Sequence, residues 1–129
     1  MDFRSCWVKF VTEKQLENDI LDYLNACGVF CWKNQSVGVY DPSKRVYRKA
    51  KGKHHINGVS DIIGVLPDGK ALFIEVKKPV KNPRTNERLF NLASDSQQTF
   101  IFNAKMNNAI AFVADRIEVV QSHLKEYLS

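Results

Sequence analysis

The 129-residue chain is 44% hydrophobic and 26% charged, which suits one globular domain with a single core. No apolar run approaches the roughly 18 residues of a membrane span, the first residues lack the pattern of a signal peptide, and three cysteines do not make a disulfide framework. We therefore expect an intracellular protein with no membrane partner. Its net charge of +5 by itself fits a solvated surface as well as an anionic partner.

The first predicted element is a helix over residues 12–28. Thr12 and Gln15 form a capping box, and Gly28 ends the helix. Apolar residues recur along one face of this segment: Leu16, Ile20, Tyr23 and Leu24. Residues 29–32 (VFCW) then predict a short apolar strand, with Trp32 in the core.

Residues 37–55 are predicted to form a basic hairpin or arm, because two strand pieces flank the turn Asp41-Pro42-Ser43. Between residues 41 and 55, six basic side chains accompany Asp41 alone: Lys44, Arg45, Arg48, Lys49, Lys51 and Lys53. Such a concentration is typical of nucleic-acid binding, although a solvated surface has the same composition. These six residues and Lys78, from a second basic stretch, are the candidate nucleic-acid contacts.

Residues 59–66 and 71–77 are the clearest strands. Pro67, Asp68 and Gly69 between them predict a three-residue hairpin loop, a type I turn closed by a left-handed glycine. In that register Asp61 lies opposite Glu75, and Lys77 shares their face of the sheet because side chains repeat every two residues. The other face is apolar: Ile62, Leu66, Leu72, Ile74 and Val76.

In the C-terminal third, residues 79–93 are predicted to form a loop. A helix with a capping box of Ser94 and Gln97 follows, and then a strand over 109–114 and a last helix. Asp115 and Glu118 are predicted to form a capping box at the start of that helix. The residues predicted to face inward are Ile117, Val120, His123 or Leu124, and Leu128. The predicted fold is an α/β domain spanning 1–129, with a mixed central sheet flanked by helices.

Asp61, Glu75 and Lys77 together predict chemistry. Two neighbouring carboxylates repel, and a divalent cation such as Mg²⁺ or Mn²⁺ removes the conflict. A metal held in this way activates water and stabilises charge on a phosphoryl oxygen. Lys77 would orient the water and offset the growing negative charge. The set therefore predicts metal-assisted phosphodiester hydrolysis, whereas a surface hairpin with ordinary salt bridges is the alternative.

Four segments resemble one known family. GVSDIIGVLPDGKALFIEVKKP (58–79) resembles the PD-(D/E)xK nuclease motif of the VRR-NUC (virus-type replication-repair nuclease) family. LASDSQQTFI (92–101), AIAFVADRIEVVQSHL (109–124) and TEKQLENDIL (12–21) resemble its following helix, its closing strand and helix, and its opening helix. Residues 37–55 have no counterpart. The resemblance implies the restriction-endonuclease-like core of that superfamily, with the element order α-β-β-β-α-β.

The resemblance also implies roles for individual residues. Asp61 and Glu75 would bind the metal together with the carbonyl of Val76, Lys77 would be the catalytic lysine, and Gln97 would line the site. A glutamate on the first helix completes such sites. Glu17 is favoured over Glu13 because it stands eleven residues before Gly28, as in the resolvase-like pattern.

Single-domain members of this family resemble Holliday junction resolvases, which are homodimers. The expected function is therefore a Mg²⁺- or Mn²⁺-dependent, structure-selective DNA endonuclease acting on branched DNA in phage or bacterial replication, repair and recombination. A flap endonuclease or exonuclease of the same family is one alternative. A non-catalytic nucleic-acid-binding module is the other.

The remaining candidates are weaker. Cys27 and Cys31 with His54 and His55 have no tight pair that predicts a zinc site, and both histidines are expected to be solvated. Trp7 and Trp32 offer rings for base stacking. Ser60 is not expected to be a nucleophile, because no Ser-His-Asp set accompanies it.

Overall fold

The computed structural model describes residues 12–35, 39–48, 53–81, 88–89 and 93–128. Within these ranges the helices are α1 (Glu13–Ala26), α2 (Asp95–Met106) and α3 (Ile117–Leu124). The strands are β1 (Phe30–Lys33), β2 (Val39–Asp41), β3 (Val46–Arg48), β4 (Ile62–Val65), β5 (Ala71–Val76), β6 (Val80–Lys81), β7 (Arg88–Leu89) and β8 (Ile110–Ala114). None of these helices has the length and apolarity that crossing a bilayer requires.

The central sheet has the strand order β1-β4-β5-β8. Strand β4 pairs antiparallel with β1 and with β5, whereas β5 pairs parallel with β8. The parallel pair is connected through α2, as a crossover between parallel strands requires. The expected α/β architecture with a mixed sheet is confirmed.

The hydrophobic core lies between one face of this sheet and the helices α1 and α3. The predicted stripe of α1 supplies three of its buried residues, Leu16, Ile20 and Leu24, and Tyr23 packs at its edge. In α3 the buried residues are Val120 and Leu124. His123 is instead exposed and stacks on Phe112 with 4.1 Å between ring centroids. The choice between His123 and Leu124 is thus resolved in favour of Leu124.

Two of the three predicted capping boxes are present. Thr12 exchanges hydrogen bonds with Gln15 at the start of α1, and Ser94 does so with Gln97 at the start of α2. The third prediction is wrong: α3 is capped by Arg116, not Asp115, and the Arg116 side chain makes no capping hydrogen bond. The helix begins one residue later than a cap at Asp115 requires.

The β4–β5 hairpin has the predicted loop. The N–H of Leu66 donates to the carbonyl of Lys70 (2.8 Å), and Gly69 has a left-handed φ of +92°. The strands pair with Ile62 opposite Ile74 and Gly64 opposite Leu72. Continuing this register by one residue places Asp61 opposite Glu75, as predicted.

The second face of the sheet carries α2 over β5 and β8, and Phe73 contacts Phe100 edge-to-face at 5.0 Å. At the other side of this face Trp32 is 43% exposed and Phe30 is 70% exposed, with their rings 5.2 Å apart. The prediction that Trp32 belongs to the core is therefore wrong. In β1 the two aromatic residues alternate with Cys31 and Lys33, and it is the Cys31 side of the strand that faces the core.

Two short hairpins lie outside the central sheet. Strands β2 and β3 pair as the predicted arm, and their turn is stabilised by Asp41, whose Oδ1 accepts hydrogen bonds from the N–H and hydroxyl of Ser43 (3.0 and 2.7 Å). The segment 79–93, predicted to be a loop, contains the β6–β7 pair. Its strands are only two residues long, too short to show an alternating apolar pattern.

We expect Gly58→Ala to destabilise the fold more than Gly69→Ala. Both glycines have a left-handed φ, +77° and +92°, but a Cβ at Gly58 would overlap the backbone carbonyl of Ser96 and lie 2.7 Å from the nitrogen of Gln97. At Gly69 nothing lies within 4 Å. Urea unfolding should show a loss of about 1 kcal/mol for Gly69→Ala and more than about 2 kcal/mol for Gly58→Ala. Equal losses would contradict this packing of the 53–60 segment against α2.

Candidate active site

Two carboxylates from adjacent strands form the centre of the site. Asp61 precedes β4, and its Oδ2 accepts a hydrogen bond from the N–H of Val76 at 2.9 Å. Glu75 is the penultimate residue of β5 and is only 2% exposed. The hairpin register therefore brings together the two acids that the sequence predicts to face each other.

Glu75 is a carboxyl group in an unfavourable place for a charge. Its Oε1 accepts a hydrogen bond from Gln97, but no described residue donates to its Oε2, which is buried. Burial, and next the negative charge of the neighbouring Asp61, raise the pKa of Glu75 from 4.5 to about 8, against a smaller opposing effect of Lys77. Without a cation, Glu75 is therefore expected to keep its proton at neutral pH.

Gln97 fixes the orientation of Glu75. Its Oε1 accepts from the N–H of Ser94 at 2.8 Å as part of the helix cap, and its Nε2 donates to Glu75 Oε1 at 2.7 Å. Each end of the amide thus has one partner, which determines its orientation. The structure places Gln97 in the site, as the resemblance implies.

Lys77 follows β5 on the same face as Glu75. Its Nζ lies 3.8 Å from Glu75 Oε1, and its side chain is 21% exposed. The N–H of Lys77 donates to the carbonyl of Ala114 at 3.0 Å, so pairing with β8 continues past the end of β5. The backbone that carries Val76 and Lys77 is therefore held between Asp61 and β8.

Both glutamates of the first helix lie beside the two acids. Glu13 Oε1 accepts from the N–H of Lys78 at 3.1 Å, and its charge contributes to the raised pKa of Glu75. Glu17 is buried, and its Oε1 lies 3.5 Å from Lys33 Nζ. Burial is the main cause of the raised pKa of Glu17, Lys33 opposes it, and the charge of Asp61 adds to it. Both glutamates of α1 are thus within electrostatic reach of the two acids.

Lys33 is a site residue that the sequence patterns did not reveal. It ends β1, a strand assigned from apolar letters alone, and only the pairing of β1 with β4 shows that it reaches α1. The alternation of side chains along β1 could have revealed it. Lys33 lies on the same side of the strand as Cys31, which faces the core, and a lysine on that side needs an acidic partner.

The predicted nucleic-acid contacts are only partly described. Lys44 and Arg45 are exposed in the β2–β3 turn, and Lys53 and Lys78 are also exposed. Arg48 lies in β3, but its side chain lies outside the described residues, as do Lys49 and Lys51. The described part thus presents basic side chains on the arm and directly after the strand that carries Glu75.

The weaker candidate residues differ in their exposure to solvent. His54 and His55 are exposed, as expected. Cys27 is exposed and Cys31 is half-buried, both as free thiols. The Ser60 side chain is fully buried, so substrate has no access to its hydroxyl. Trp7 lies outside the described residues, whereas Trp32 is accessible for stacking.

The two carboxylates suit a hard divalent cation. Within the described part of the chain, no cluster of three or more His, Cys, Asp or Glu side chains has the geometry of a metal site. A cation would therefore rest on Asp61 and Glu75, with the Val76 carbonyl and water completing its shell. The buried Oε2 of Glu75, to which no described residue donates, supports such a fit, because a cation would take the place of the proton that Glu75 otherwise holds.

The raised pKa of Glu75 predicts how stability depends on pH without metal. Between pH 4.5 and about 8 the unfolded chain releases a proton that folded Glu75 retains, so the free energy of unfolding falls as pH rises, by at most about 5 kcal/mol. Glu75→Gln should remove this part of the dependence. Urea unfolding in EDTA across that range would measure both proteins, and parallel pH profiles would contradict the shift.

Comparison of the chain with protein-family models, curated proteins and solved structures finds no match. The resemblance to the VRR-NUC family therefore stays a prediction. The geometry of the site is then the basis on which a function can be proposed for this chain.

Proposed function

We propose that the protein is a metal-dependent nuclease that hydrolyses phosphodiester bonds in branched DNA. The observation that carries the proposal is the pairing of Asp61 with buried Glu75 on adjacent strands, with Lys77 on the same face. A buried carboxyl group beside a second acid, with its pKa raised to about 8, is typical of functional sites. The same group is useful where a cation binds and is released.

Each residue of the site has a part in this chemistry. Asp61, Glu75 and the Val76 carbonyl would hold Mg²⁺ or Mn²⁺, which supplies an acidified water and positive charge at the phosphate. Lys77, with its ammonium 3.8 Å from Glu75, would orient the water and neutralise the charge that grows on the phosphoryl oxygens. Gln97 holds Glu75 in place through its 2.7 Å hydrogen bond.

The proposal of DNA as the substrate rests on the distribution of positive charge as well as on the site. The chain has a net charge of +5, and its β2–β3 arm carries exposed Lys44 and Arg45 away from the core. Phosphate contacts of this type position a nucleic acid without reading its sequence. A homodimer would place two sites around a four-way junction, which is nearly two-fold symmetric, so that opposing strands are nicked. A resolvase-like activity is therefore proposed ahead of flap or end cleavage.

A binding module without catalysis is the competing function, and the exposed basic arm favours it. The two functions differ in what they require of the acids. Binding alone gains nothing from Asp61 and Glu75, because neither carboxyl group attracts phosphate, whereas hydrolysis needs both.

Asp61→Asn should separate the two functions. We expect it to reduce cleavage of a labelled immobile four-way junction in Mg²⁺ or Mn²⁺ by at least about a thousandfold, because the amide is a weaker metal ligand. Junction binding, followed by fluorescence anisotropy, should be kept or tightened. Glu118→Gln, which removes an exposed carboxylate on α3, is the matched control and should leave both unchanged.

The same assay with other substrates tests the specificity. Paired nicks in the junction, absent in EDTA and absent from linear duplex, are expected. Cleavage of 5′-flap or splayed-arm DNA alone would keep the nuclease and overturn the resolvase. Junction binding with no cleavage in either metal would overturn the catalytic proposal.

The first-helix carboxylate is tested by Glu17→Gln and Glu13→Gln. If Glu17 completes the site, as the sequence favours, its variant should lose at least about a hundredfold in cleavage rate while the Glu13 variant loses less than about tenfold. Junction cleavage at saturating Mg²⁺ is the measurement. The reverse order would assign the role to Glu13, which contacts the backbone of Lys78.

A further inference from the structure

A groove of about 640 Å³ opens between α2 and the start of β5, on the sheet face that carries Asp61 and Glu75. Its floor is the edge-to-face pair Phe73 and Phe100. Its wall is mostly apolar, and its polar side chains are those of His55, Asn57, Ser96, Thr99, Asn103 and Asn107. We call this feature the α2 groove. Its volume lies within the range of small-molecule sites, roughly 300–1,000 Å³.

We propose that the α2 groove binds one unpaired nucleobase of the DNA strand that is cleaved. The inference rests on the proposed nuclease function and extends it to the substrate. Aromatic floors stack on the face of any base, and amides hydrogen-bond to base edges. The groove offers both kinds of contact around a space large enough for a base.

The position of the groove connects it to the acids. Phe73 lies two residues before Glu75 on the same face of β5, about 7 Å along the strand. On α2, Ser96 lines the groove, and the next residue, Gln97, binds Glu75. A base in the groove would therefore belong to a nucleotide close to the cleaved phosphate.

The charge of the side chains that line the groove favours a base over other occupants. Among the described residues that line the groove, none is Lys, Arg, Asp or Glu. A phosphate or an acidic peptide would find no lysine or arginine there and only His55 as a basic group, whereas a base is neutral. The described lysine and arginine residues lie outside the groove, for example Lys78 and Lys44, where they suit the backbone of the same polyanion.

Gly58 holds one wall of the groove in place. It packs against the backbone of Ser96 and Gln97, too closely for any Cβ. This contact fixes the segment that carries Asn57 over the first turn of α2. The position of this wall relative to α2 is thus determined by the fold.

The test uses a branched oligonucleotide with 2-aminopurine at successive unpaired positions beside the branch, bound to the full-length protein in EDTA. We expect fluorescence to rise at one position, because the probe leaves the stack of its neighbours, and to stay unchanged in a fully paired duplex. Thr99→Phe, which fills the groove from an exposed helical position, should abolish the rise and weaken binding about tenfold.

Phe102→Thr makes the reverse exchange on the same helix at a residue that is 62% exposed and does not line the groove, and it should behave as wild type. Asn103→Phe is a second filling variant, and thermal unfolding checks that each variant is folded. The inference is overturned if no position responds or if both filling variants keep the response.

The outcomes also separate this inference from the nuclease proposal. Metal-dependent cleavage without any response of the probe overturns the groove alone. A probe response that the filling variants abolish, without cleavage in Mg²⁺ or Mn²⁺, supports the groove and overturns the nuclease. No binding of branched DNA overturns both.

Discussion

The register of the β4–β5 hairpin is the constraint on which the candidate site depends. Side chains alternate across a strand, so a slip of one residue would move Asp61 to the core face and bring Ser60 or Ile62 opposite Glu75. The three-residue loop prevents the slip, because Gly69 adopts a left-handed φ of +92° that closes it at one length. A turn of three exposed residues thus determines whether two acids from different strands meet.

The site also contains an energetically unfavourable pair of carboxyl groups. A buried carboxyl group beside a second one costs free energy, and here the cost is limited by protonation of Glu75, by Lys77 and by the amide of Gln97. The apolar face of the same two strands offsets it, since Ile62, Leu72 and Ile74 are completely buried against α1 and α3. One hairpin therefore stabilises the fold through one face and carries the strained pair on the other.

The features that could be predicted from the sequence depend only on residues close together in the chain. The capping boxes at Thr12 and Ser94 and the loop at Gly69 are short-range patterns, and each is present. The features that could not be predicted depend on which face of the sheet a helix covers. Trp32 was assigned to the core from its apolar neighbours, but α2 lies over β5 and β8 and leaves it 43% exposed. The pairing of Lys33 with Glu17 likewise exists only once β1 has joined β4.

The amide of Gln97 joins two structures that are usually separate. One end closes the cap of α2, and the other holds Glu75. The helix start and the carboxyl group consequently share a single local equilibrium: when the first turn of α2 frays, Glu75 loses its donor at the same moment. Hydrogen exchange of the amides that open α2 would then report the order of the site in the absence of any substrate.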